Sequence, residues 1–333
     1  MIFFIVGRGR SGTTLLASLL NTHEQVVIPP EALFVMTLYS KYSQRYRWPK
    51  KLKEKFFDDL WVEKWLDKWS LDKDKLYDCI LQTAENTTFS DLCKIVYNEY
   101  AGSKKIKKNI LIGDKNPQYS LFVNELHQVF PEAKFIHIVR DFRDNIVSFK
   151  NVRFDLNSTI ALAYRWRRYN KEINKLKERI PHKFYTLRYE DLINEPEQKL
   201  NELCGFLSIE YTPQMLDFYK FQVGRFPKFH RKLKKPIDAN NKNKWKLKMK
   251  KDEVEIVNFI CRKSGELLGY KAPIMRNEFI LFFKSLFGII LGWFSIVFEK
   301  IFFFLPLPIS ARISDSYRNM VHQSKDYYKL FVK

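Results

Sequence analysis

A chain of 333 residues, 46% hydrophobic and 16% aromatic, has the composition of a globular protein and is long enough to bury one large α/β core or two modest ones. A formal charge of +21 calls for an anionic partner: a nucleotide, nucleic acid, an acidic glycan or a lipid surface. The four cysteines, Cys79, Cys93, Cys204 and Cys261, lie far apart without C-x-x-C or metal-ligand spacing, which argues against a cysteine metal site and for a reducing compartment.

The first predicted element is a buried strand, Ile2 to Val6. The loop Gly7-Arg8-Gly9-Arg10-Ser11-Gly12 follows, and from Ser11 a helix carries Leu15, Leu16, Leu19 and Leu20 on one face. Strand, glycine loop and helix N-terminus form a grip for phosphate, because loop amides and the helix dipole favour negative charge. Three loop classes compete. A Walker A loop needs lysine where Thr13 stands, so the group that neutralises β/γ-phosphates is missing. The dinucleotide pattern G-x-G-x-x-G is met by Gly7, Gly9 and Gly12, with Glu31 as an acidic residue downstream. The third class uses Arg10 for charge and Ser11, Thr13 and Thr14 as hydroxyl donors. A tight structural turn is the plain alternative.

The stretch GRGRSGTTLL resembles the 5′-phosphosulfate loop of the sulfotransferases that use 3′-phosphoadenosine-5′-phosphosulfate (PAPS), in the R-S-G-T-T form of tyrosylprotein and bacterial members. The resemblance implies an α/β, P-loop nucleotide-kinase-like parallel sheet with helices on both faces. It also implies a donor loop formed by Gly9, Arg10, Ser11, Gly12, Thr13 and Thr14, and transfer without a metal. A Golgi-type member would carry an N-terminal anchor. The first strand begins at about Ile2, so a cytoplasmic protein is expected.

Gln25 to Ile28 reads as a short strand closed by Pro29 and Pro30, with Glu31 next. The resemblance makes Glu31 the base that deprotonates the acceptor; a helix-start residue near the positive dipole end is the alternative. Residues 40–108 read as an inserted helical layer with aromatic faces, Ser90 capping one helix. Core packing is the plain reading of that layer; the alternative is that part of its aromatic wall lines the acceptor site.

Asn109 to Ile112 reads as a second buried strand running into Gly113-Asp114-Lys115-Asn116-Pro117, similar to the family's G-[DE]-K-x-P stretch. Lys115 would then steady the bridging oxygen as the S–O bond breaks, a surface salt bridge with Asp114 being the alternative. Lys134 to Val139 is a third strand, followed by Arg140 and a helix through Ser148. Arg140 and Ser148 stand eight residues apart, as in the family's 3′-phosphate motif, with Phe142 replacing its usual proline. His137, inside the strand, reads as a buried histidine.

A long helix is expected from Leu156 to Leu176. Lys183 to Leu192 then reads as strand into loop, and resembles the family's R-Y-E-D-L segment, with Tyr189 near the adenine. Between Lys228 and Lys251 lie eleven Lys or Arg and one acid, Asp238. The resemblance places here a basic loop, with Lys244 and Trp245, that closes over the nucleotide; a solvated linker is the alternative. No stacking module or reading helix accompanies the run, so nucleic acid is not expected. A helix from Asp252 to Leu268 completes a domain spanning residues 1–271.

Residues 272–333 form a hydrophobic appendage. Ser285 to Phe298 gives 14 uncharged residues, short of the ~20 of a spanning helix. An in-plane amphipathic helix on an anionic membrane fits, and a helix packed on the domain is the alternative. The expected function is sulfuryl transfer from PAPS by Glu31, Lys115 and Arg10. Carbohydrate, lipid-linked glycan, protein tyrosine and small alcohol all remain open as acceptors. A nucleotide-dependent kinase of related fold and an inactive membrane-associated nucleotide-binding protein are the rivals.

Overall fold

The computed structural model describes residues 1–104, 110–152, 156–221, 233–275, 277–305 and 309, with backbone alone for Lys64 and Trp65. Its five strands are β1 (Ile2–Val6), β2 (Val26–Val27), β3 (Leu111–Asp114), β4 (Lys134–Val139) and β5 (Phe184–Arg188). They pair in parallel in the order β2-β3-β1-β4-β5. The chain leaves β1 towards one edge and later returns to build on the other. β1 is therefore the switch point, where a parallel sheet opens a crevice at its carboxyl ends.

Strand alternation divides the core. Phe3 and Ile5 join Ile136 and Ile138 on one face, and Phe4 and Val6 point to the other. The first face is covered by α1 (Thr13–Leu20) and, later in the chain, by helices after β5. The helical layer α2 (Phe34–Tyr42), α3 (Lys50–Trp61), α4 (Lys73–Leu81) and α5 (Phe89–Ser103) builds much of the second core. There Tyr42 stacks on Trp48 with ring centroids 5.6 Å apart, and Phe56 meets both edge-on. The cap of α5 is Thr88, which exchanges hydrogen bonds with Asp91, rather than Ser90, which lies inside the helix.

Beyond β3 come α6 (Val123–Val129), α7 (Phe142–Lys150) and α8 (Thr159–Arg179). α8 starts later than expected because the Ser158 side chain accepts from the Ala161 amide. After β5 come α9 (Tyr189–Asn194), α10 (Pro196–Leu207), α11 (Trp245–Lys248) and α12 (Lys251–Glu266). The segment after Arg188 is thus helical rather than a loop, with Glu190 and Asp191 in its first turn. Part of the basic run, residues 228–232, lies outside the described residues, as do Asn109 and the segments 306–308 and 310–333.

The apolar tail is one helix, α13 (Glu278–Phe304), 27 residues long and apolar enough to cross a membrane by length and composition. It is longer than the uncharged stretch predicts because its charges are accommodated. Glu299 is held by Arg165 at 2.8 Å and by the Tyr169 hydroxyl at 2.6 Å. One side of α13 packs along α8. A Cβ on Gly288 would come within 2.5 Å of Ile160, and one on Gly292 within 3.0 Å of Tyr164.

Candidate active site

The loop after β1 is shaped by its glycines. Gly7 has φ +148°, and an added Cβ would stand 2.2 Å from the Ile138 carbonyl oxygen; Gly12 has φ +98°, and its Cβ would strike the Tyr189 ring at 2.4 Å. Gly12 is the N-cap of α1 and has no side chain to satisfy the first amides, so the helix begins at Thr13 with its N-terminus available to an anion. Side chains from neighbouring elements fix the loop. The Gly7 amide donates to Ser120 Oγ at 2.8 Å, and Asn145 Nδ2 donates to the Gly9 carbonyl at 2.9 Å and to Ser11 Oγ at 3.1 Å. Arg10 sits at φ +65°, a conformation unusual for an L-residue, which turns its side chain onto the start of the crevice.

Arg10 Nε donates to Ser148 Oγ at 3.2 Å, and Arg140 reaches the Arg10 carbonyl at 3.3 Å and the Asn241 carbonyl at 2.9 Å. Burial, then the adjacent Arg140, lowers the pKa of the Arg10 guanidinium. Two crowded cations, with the Ser148 hydroxyl beside Arg10, make a site for a doubly charged anion. The Arg140 guanidinium stacks 4.6 Å over the Tyr189 ring, and the Tyr189 hydroxyl accepts from Asn241 Nδ2 at 2.6 Å. The segment from Asn241 to Trp245 closes this side. Lys244 donates to Asn241 Oδ1 at 2.6 Å, the Trp245 amide to Asp144 at 2.9 Å, and Arg143 stacks 4.2 Å over the Trp245 ring. Arg140 Nε and Trp245 Nε1 are buried donors without a partner among the described residues, so the pocket retains capacity for an acceptor-rich ligand such as a nucleotide phosphate.

Across the loop, Lys115 forms an ion pair with Glu31 and lies 3.4 Å from Thr14 Oγ1. The Lys115 side chain is 10% exposed and the Glu31 side chain 41%, so the carboxylate faces the open crevice. The carbonyls on both sides of Glu31 are pinned. Trp69 Nε1 donates to the Pro30 carbonyl at 2.8 Å; Asn116 Nδ2 and the Tyr119 hydroxyl donate to the Ala32 carbonyl at 3.0 and 3.2 Å. Asn116 also donates to Asp114, as does the Tyr97 hydroxyl. Burial pushes the Asp114 carboxyl up to about 7, against these hydrogen bonds and Lys115, which favour its ionised form.

Of the residues expected at the site, the loop Gly9 to Thr14, Glu31, Lys115, Arg140 and Tyr189 follow the carboxyl ends of strands, whereas Ser148 comes from α7 and Lys244 and Trp245 from the segment that opens α11. Arg10 is drawn to Ser148 and Arg140; Glu31, Lys115 and Thr14 form a separate group. His137 is fully buried, hydrogen-bonded to Asn170 at 2.9 Å, and pushed down to about 4 by burial. His23 is turned to the Glu210 carbonyl and plays no part in the crevice. Sequence reasoning missed Asn116, Asn145, Asn241, Ser120 and Trp69. Asn116 and Asn145 stand inside quoted motifs, but Trp69 carries no local signal beyond its place in an aromatic stretch.

A profile of the Sulfotransferase family matches residues 3–213. The chain belongs to the sulfotransferase family. It is 24% identical over 285 residues to "Protein-tyrosine sulfotransferase 1" of Danio rerio, covering 81% of this chain and 72% of that one. It is 32% identical over 137 residues to "Omega-hydroxy-beta-dihydromenaquinone-9 sulfotransferase Stf3" of Mycobacterium bovis, covering 34% of this chain and 33% of that one. The chain spans about a third of the length of some curated relatives, 30% in the case of an uncharacterized protein of Aquifex aeolicus. The solved sulfotransferase domain of the Synechococcus PCC 7002 olefin synthase matches 82% of the chain and 96% of its own length, at a TM-score of 0.59 and 22% identity, which shows the shared fold.

Proposed function

We propose that this sulfotransferase moves a sulfuryl group from PAPS to a hydroxyl or amine of its acceptor. The observation that carries the reading is the meeting of Glu31 and Lys115, 84 residues apart in the chain, beside Thr14 at the mouth of the phosphate loop. The donor supplies an activated sulfuryl group. Glu31 takes the proton of the acceptor group, the new bond forms to sulfur, and the bond from sulfur to the bridging oxygen of the 5′-phosphate breaks. Lys115 and the loop amides stabilise the charge left on that phosphate. An anion bound beside Lys115 would offer it a second partner and free Glu31 for the acceptor. Arg140 and Ser148 hold the 3′-phosphate; Arg10, expected from the sequence at the transferring group, donates to Ser148 and joins them there instead. Tyr189, Lys244 and Trp245 border the adenosine.

The acceptor class is open between those of the relatives' names, protein tyrosine and a hydroxylated menaquinone, and other glycan or alcohol hydroxyls. We place the protein on the cytoplasmic side, peripheral to a membrane. The kinase alternative is disfavoured by Thr13 in the Walker lysine position. The test is transfer of label from PAPS across a panel of acceptor classes, with Glu31→Gln and Lys115→Ala alongside. Glu31→Gln should cut turnover ~100-fold with nucleotide affinity retained. No transfer to any class, or an unimpaired Glu31→Gln, would refute the assignment.

A further inference from the structure

Helix α13 carries large apolar side chains on both sides. Its inward side mixes small or polar residues, Ser285, Gly288, Gly292 and Glu299 with its Arg165 partner, with the buried Leu281, Ile296 and Phe303. Most of the other large apolar side chains point away. Phe279, Phe283, Phe287, Ile290, Phe294 and Phe298 are 43–79% exposed and share one uncharged flank of the helix. Nothing else among the described residues covers them. Side chains of this size half-exposed side by side make an apolar patch on the order of 600 Å², at the upper limit for a soluble monomer.

We propose that this flank is a membrane-docking surface, with α13 lying in the plane of an anionic bilayer. A spanning arrangement does not fit. The helix is about 40 Å long at 1.5 Å per residue, and it is held to α8 over much of that length. α8 in turn buries Leu162, Trp166 and Ile173 in the cores of the domain. A helix gripped lengthwise by the domain on one side meets lipid only along the other. Charge identifies the surface as lipid rather than a second copy of the chain. Residues 262–278 contain four Lys or Arg against two acids, of which Glu278 is paired with Arg262. Lys284 is exposed on the helix beside the apolar flank. Pairing two copies through this flank would bring cations together, whereas anionic headgroups beside an apolar surface complement them.

The inference gives the peripheral placement proposed above its contact surface and is independent of sulfuryl transfer, since binding needs neither donor nor acceptor. The test is flotation of the full chain with phosphatidylserine-containing vesicles and with pure phosphatidylcholine vesicles, together with sedimentation without lipid. The protein should float with the anionic vesicles at least tenfold more than with the neutral ones. The double variant Phe287→Glu/Phe294→Glu should lose that binding while keeping its far-ultraviolet circular dichroism. In the otherwise unaltered chain, Trp293 fluorescence, taken as the difference from Trp293→Phe, should shift to the blue on vesicle addition. Failure of the chain to float, flotation of the double variant at wild-type level, or an unshifted Trp293 would overturn the proposal. So would a lipid-free dimer that the double variant converts to monomer, which would make the occupant a second copy.

Discussion

Replacing Trp69 by Phe tests whether the helical layer positions the proposed base. Trp69 is 1% exposed and its Nε1 donates to the Pro30 carbonyl at 2.8 Å. Phenylalanine preserves much of the packing against Phe34, Tyr97 and Tyr100 and removes the donor. Leaving that carbonyl unpaired costs about 1–3 kcal/mol, and the void left by the smaller ring adds roughly 1 kcal/mol at ~24 cal/mol per Å³. The sum is below the roughly 5–15 kcal/mol that holds a domain together, so the protein should fold. The Pro30–Ala32 segment would then be tied on one side only, through Asn116 and Tyr119. A displacement of about 1 Å at a reacting group costs up to ~100-fold in rate. The expected result is a kcat lowered ~10–100-fold with labelled PAPS, while calorimetry finds affinity for adenosine 3′,5′-bisphosphate within about twofold of the parent. An unchanged kcat, in a protein where Glu31→Gln does lower it, would refute the positioning argument while leaving the base assignment standing. A parallel loss of nucleotide affinity would refute it too, since Trp69 would then serve the whole crevice.

Arg140→Ala should weaken binding of adenosine 3′,5′-bisphosphate ~10–100-fold, as expected for loss of a charge-assisted contact of ~1.5–3 kcal/mol, and leave binding of the 5′-monophosphate nearly unchanged; isothermal calorimetry on both nucleotides checks it. For Asp114, the sign of the pH effect follows from its carboxyl being raised to about 7 by burial. The folded state holds the proton more tightly than the unfolded chain, so its stabilising contribution is complete below the ordinary aspartate range and is lost as pH rises towards 7. Asp114→Asn should therefore flatten the fall in Tm between about pH 5 and pH 8, and thermal scans across that range would show an unchanged slope if the assignment is wrong.

Much of this fold is local in origin and was legible. The β1 strand and the loop behind it follow from five apolar residues and the placement of glycines, and β4 runs from Lys134 to Val139 as expected. Helix boundaries were less legible because caps decide them: Gly12 delays α1, Ser158 delays α8 and Thr88 displaces Ser90. The site residues that sequence could reach were those inside a linear motif. Trp69 and Asn116 act on Glu31 through backbone carbonyls, and a carbonyl leaves no mark on a sequence pattern. The tail shows a different limit. Periodicity in residues 278–304 distinguishes two sides of a helix but cannot say which one faces the domain. That is decided by the fit of Gly288 against Ile160 and by the burial of Glu299 beside Arg165.

The strand order also lays the crevice out as a ruler. Read along the carboxyl edge from β2 to β5, the loops present Glu31, Lys115, Arg10, Arg140 and Tyr189 in turn. Neighbouring strands stand about 4.8 Å apart, so the first and last rungs are separated by roughly 19 Å. Backbone ladders set that interval, and substitutions of side chains leave it alone. On the proposed assignment of donor and acceptor ends, the place where an acceptor presents its nucleophile is measured off from the adenosine by whole strands. Under that assignment, the β2 edge and the helical layer beside it can be rebuilt for a new acceptor without recalibrating the other end.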